Sequence, residues 1–108
     1  MNAIAEVGTD LYQRMLAWSR EEGERGKSLA EEWEPTPWIV DAYTGGHHNE
    51  MGREYDISQW CIEHCGPESV PMRGQKGQWK RGGVTIDGYT WMGFATEEMM
   101  REFCEAWM

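Results

Sequence analysis

The sequence predicts an α+β protein: an N-terminal helix or helix pair, then a βαββα unit whose small sheet carries helices on one face. Three observations lead there. The run "DISQWCIEHCGP" sets Ile57, Trp60, Cys61, His64 and Cys65 at i, i+3, i+4, i+7 and i+8, the spacing of one helical face. The run "WIVDAYT" before it is rich in β-formers and bounded by Pro and Gly-Gly. Asp87-Gly88, inside "WKRGGVTIDGYTWMGFA", is a type I′ hairpin signal between two candidate strands.

From the N-terminus, Ile4, Val7, Leu11, Met15 and Trp18 share a helical stripe, and Thr9 is the expected N-cap of a helix reaching about Glu22. "EEGERGK" interrupts it with two glycines. Ser28 and Glu31 fit a capping box for a short second helix through Trp33, or the first helix continues. Pro35 and Pro37 stop it, because the residue before a proline avoids the helical region. On the strand 38–44, Trp38, Val40 and Ala42 point to one side and Ile39, Asp41 and Tyr43 to the other. Residues 45–55 read as a polar loop, and Asp56 as the N-cap of the next helix, which Gly66 and Pro67 end. After a Gly- and Pro-containing loop, the Asp87-Gly88 turn sets Val84 opposite Trp91 and Ile86 opposite Tyr89. Thr96 caps the last helix, where Met100, Phe103, Cys104 and Trp107 form the apolar stripe. This βαββα order resembles a ferredoxin-like unit lacking its last strand. The N-terminal segment would cover an edge or the open face of its sheet.

At 108 residues the chain has room for one core, so residues 1–34 and 36–108 are read as parts of a single domain. Seven Trp exceed what one small core needs, which points to exposed indoles as partner anchors or to a homodimer. The net charge of −9 opposes contact with bare nucleic acid and anionic membranes and favours a protein partner with a basic surface. No stretch approaches 18 apolar residues, and residues 1–20 hold no apolar run of signal type. An odd count of three Cys suits free thiols in a reducing, cytoplasmic compartment.

"DISQWCIEHCGP", the basic Trp-containing segment and "DGYTWMGFATEEMMREFCEAW" together resemble short accessory proteins of tailed bacteriophages, over about residues 36–107. In those a W-C-x-x-H-type helix precedes a Trp-rich hairpin and a closing helix; this chain departs from the pattern at Cys65, where an aromatic is usual. The resemblance implies a phage-type, non-enzymatic protein of the infected cell.

Three constellations carry candidate chemistry. Glu21, Glu22, Glu24, Glu31, Glu32 and Glu34, with Trp33 as apolar anchor, form an acidic array. Such an array can occupy a basic groove meant for nucleic acid, as small phage inhibitors, anti-CRISPR proteins included, are able to do. This is the leading reading, with no catalytic residue and no cofactor. The alternative is a structural zinc module or metal-dependent enzyme. Cys61, His64 and Cys65 share a helical face, and His47 or His48 would complete a tetrahedral set. Against it, those positions also serve an ordinary core helix. A third reading is a single-stranded nucleic-acid binder, in which Arg73, Lys76, Lys80 and Arg81 contact phosphates while Trp79 stacks on a base.

Overall fold

The computed structural model describes residues 9–45, 51–82 and 88–108. Along the chain these form α1 (Asp10–Glu22), α2 (Glu24–Trp33), β1 (Trp38–Tyr43), α3 (Met51–Cys65), a 3-10 turn (Pro71–Arg73), β2 (Trp79–Arg81), β3 (Tyr89–Phe94) and α4 (Glu97–Trp107). A helix pair and a βαββα unit follow one another, as the patterning predicts. The sheet order is β1-β3-β2, and β3 runs antiparallel to both neighbours. β1 and β2 therefore point the same way with β3 inserted between them, the split βαβ arrangement of the ferredoxin-like unit.

Side-chain alternation divides the sheet into two faces. Val40 and Ala42 of β1, Trp79 of β2 and Met92 and Phe94 of β3 pack against Ile57, Cys61 and Cys65 of α3 and Met100 and Phe103 of α4. On the other face, Ile39 joins Met15 of α1 and Ala30 and Trp33 of α2. The N-terminal pair thus covers the open face rather than an edge. Gly93 lets it approach closely: a Cβ there would lie 2.6 Å from the Thr36 carbonyl oxygen and 2.9 Å from the Trp33 ring.

Helix boundaries depart from the sequence reading in two places. α3 begins at Met51, so Asp56 lies inside the helix and caps nothing. The extra turn is held by Arg53, whose Nε donates to the Tyr43 carbonyl (2.8 Å) and whose Nη2 donates to the Trp107 carbonyl (3.2 Å). The guanidinium also sits 5.7 Å from the Tyr43 ring centre and 5.5 Å from that of Trp107. α2 begins at Glu24, so Ser28 is internal and the Ser28–Glu31 capping box does not form; Gly23, at φ +63°, separates the two helices instead. The other ends match. Gly66 takes φ +82° after α3, and the Met99 amide donates to Thr96 Oγ1 at the start of α4.

The strand register also differs. Arg81 lies opposite Met92, and the Gly82 amide donates to the Trp91 carbonyl at 2.7 Å. A two-residue turn at Asp87-Gly88 needs Val84 opposite Trp91, an offset of two residues. Gly88 itself, at φ +86°, accepts at its carbonyl from the amides of Thr44 and Gly45, so it extends the β1 pairing. Val84, Thr85, Ile86 and Asp87 lie outside the described residues. Past β2, the Ser69 amide donates to the Trp79 carbonyl at 2.7 Å, so the 67–70 segment guards that sheet edge.

Candidate functional site

The acidic array sits on the outside of the α1–α2 layer. Glu21, Glu22, Glu24, Glu31 and Glu34 are exposed, while Glu32 is half-buried. Lys27 lies 4.0 Å from Glu31, one turn away on the same helix. Among the described side chains, which do not include that of Arg25, no cation is within ion-pair distance of Glu21, Glu22, Glu24 or Glu34. Trp18, Glu24, Ser28 and Leu29 line a shallow cleft of about 490 Å³ between the two helices. Half-buried apolar surface is therefore set beside a carboxylate. The same layer raises the Tyr12 pKa, first through burial and then through the charge of Glu34.

Trp33 does not belong to that surface. It is only 3% exposed and packs edge-on to Trp91, with ring centres 6.1 Å apart. The Lys80 ammonium lies 4.8 Å from its ring centre and 3.1 Å from the Glu32 carboxylate. Trp33 and Glu32 accordingly fasten α2 to the sheet from beneath. Among the described side chains, the carboxylates without an ion-pair partner are those at 21, 22, 24 and 34.

The basic segment is dismantled by strand alternation. Trp79 and Arg81 point toward α3, and Lys80 points the other way. Trp79 is 1% exposed, and its indole N–H donates to the Gly66 carbonyl at 2.8 Å, so no ring is available to stack on a base. Lys80 is committed to Glu32 and Trp33. Arg81 donates to Glu68 (3.2 Å) and Ser58 (3.0 Å), and lies 3.4 Å from Glu54. Arg73 and Lys76 remain as exposed cations without an aromatic partner between them.

Nor does α3 gather its cysteines and histidine. Cys61 and Cys65 are buried, Cys104 is partly buried, and all three are free thiols. Burial pushes the Cys61 pKa up to about 12; the neighbouring Cys65 and Glu68 add to the shift, and Arg81 opposes it. Cys65 is raised by burial and then by Glu102, and Cys104 by burial. A thiol held protonated is a poor nucleophile. His64 is exposed instead of turned inward. Its ring stacks on Trp60 at 4.0 Å between centres, and its Nδ1 lies 2.8 Å from the Trp60 carbonyl. Among the described residues no group of three or more His, Cys, Asp or Glu is placed to hold a metal ion. His47 and His48 lie outside the described residues.

One feature escapes the sequence reading. The outer shoulder of α3 presents Tyr55, 65% exposed, and Ile62, 46% exposed, above a groove of about 350 Å³ that also reaches Arg81 and Glu68. Its signal was the seven-residue spacing of Tyr55 and Ile62, off the buried stripe of Ile57, Cys61 and Cys65.

Among the described residues, no helix is long and apolar enough to cross a membrane. No family model, curated protein or solved structure matches this chain.

Proposed function

We propose that this chain is a small acidic, non-enzymatic protein that binds a basic surface on a host macromolecular complex and inhibits or modulates it. The contact surface is the outer side of α1 and α2. The observation that carries the reading is the set of exposed carboxylates at Glu21, Glu22, Glu24 and Glu34, without an ion-pair partner among the described side chains and supported on two packed helices. A fixed array of negative charge matches a groove built for phosphates and raises the rate of encounter with it. The cleft at Trp18 and Leu29 adds apolar area beside that charge. The resemblance to phage accessory proteins supplies the setting, and nucleic-acid mimicry of the anti-CRISPR kind is its finer form. The raised thiol pKa values suit packing rather than nucleophilic chemistry.

Capture from host-cell extract tests this reading. Wild-type chain is immobilised beside a variant combining Glu21→Gln, Glu22→Gln, Glu24→Gln and Glu34→Gln. The expected result is a protein retained by the wild type, eluted by moderate salt or by duplex DNA, and absent from the variant. Thermal unfolding of the variant stays unchanged, because these side chains are exposed. Equal retention by both chains refutes the surface.

A further inference from the structure

The groove between α3 and β2 lies on the opposite side of the sheet from the acidic layer and shares no residue with it. Three observations converge there. Tyr55 and Ile62 expose large apolar surface on a helix whose opposing stripe is already buried in the core. Between them and the 67–70 segment runs a groove of about 350 Å³, floored by Trp79, a volume within the range of ordinary binding clefts. Its polar wall is held in place: Arg81 ties Glu54 on α3 to Glu68 on the strap at 3.4 and 3.2 Å, and Ser58 accepts from the same guanidinium at 3.0 Å.

The charges decide what fits. One guanidinium faces two carboxylates, so the wall keeps a net negative charge with its carboxylates already oriented. Asp56 and Glu63, exposed on the same helix, add to that sign. An anionic ligand would have to break the Arg81 pairs; a cation needs only to join them. Beside them the exposed ring of Tyr55 offers a face for a cation, and Ile62 offers apolar contact for a neighbouring aliphatic side chain. From this complementarity we propose that the groove is a docking site for a basic, apolar-flanked segment of a partner protein, with an arginine or lysine set against Glu54 and Glu68.

Amide-resolved NMR titration tests the site with two terminally blocked peptides, one alternating arginine and leucine and the other glutamate and leucine. The arginine peptide should bind saturably, with the largest shifts at amides 54–62 and at Arg81. Tyr55→Ala and Ile62→Ser should each weaken it at least about five-fold while the folded state persists with at most a small drop in thermal unfolding, since Tyr55 is 65% and Ile62 46% exposed. The four-glutamine variant of the α1–α2 layer should keep this binding, which separates the groove from the acidic surface. Lack of saturation at millimolar peptide, shifts confined to α1 and α2, or equal binding of the glutamate peptide would each overturn the proposal.

Discussion

Toward α3 and α4 the sheet presents Val40, Ala42, Trp79, Met92 and Phe94, all buried. Toward α1 and α2 it presents Ile39, Lys80, Gly93 and the 37%-exposed Trp91. The first interface is held by interlocked apolar side chains. The second depends on a few contacts: one indole laid on a glycine, a cation above that indole, and a small cluster around Met15. A face built from many apolar contacts specifies the fold and tolerates little change. A layer fastened at few points leaves its outer side free to carry charge, which is where the exposed glutamates stand.

This contrast can be broken by substitution. The largest effect is expected for Phe103→Ala, which empties a position that is 0% exposed and touches Phe94 and Trp60. It should cost about 3–5 kcal/mol in denaturant unfolding and loosen the molecule as a whole. Gly93→Ala should cost about 1–3 kcal/mol, because the new methyl meets the Thr36 carbonyl and the Trp33 ring. Its hydrogen-exchange losses should concentrate in α1 and α2, whereas equal losses in α3 and α4 would show that both faces form one cooperative unit.

The thiols sharpen the picture of the first face through pH. The Cys61 pKa is near 9 in the unfolded chain and raised to about 12 in the folded one. Its contribution is therefore complete below pH 9 and is lost as pH climbs from 9 toward 12. By pH 10 the loss from this group should be on the order of 1 kcal/mol, with Cys65 and Cys104 shifted in the same direction. A Cys61→Ala variant should show a flatter alkaline limb than the wild type. The smallest effect belongs to Lys80→Met. It removes a nearly buried ion pair with half-exposed Glu32 but retains the packing on Trp33, so stability should stay within about 1 kcal/mol.

The periodic elements were legible because their signals are local. Alternation in 38–43 separated Ile39 from Val40 and Ala42 correctly, and the stripe of α4 put Met100 and Phe103 in the core. What could not be read depends on distant partners. α3 gains its first turn from Arg53 bonding to β1 and to the end of α4, neither of which is near in sequence. Trp33 and Trp79 looked like surface anchors beside charged residues, but the charges turn outward or pair while the indoles turn in. His64 kept the helical spacing of the core stripe yet lies at its margin, where stacking on Trp60 leaves it exposed. Composition revealed the surplus of acid; only packing revealed which carboxylates are spent on Lys80 and Arg81.

The most direct measurement is the salt dependence of affinity for the captured partner, compared between the wild-type chain and the four-glutamine variant of α1 and α2. An electrostatic acidic surface predicts wild-type binding that weakens steeply with ionic strength. The variant should bind at least about ten-fold more weakly at low salt and with a shallower slope. Matching affinities and matching slopes for the two chains would contradict the assignment of the acidic layer as the contact surface.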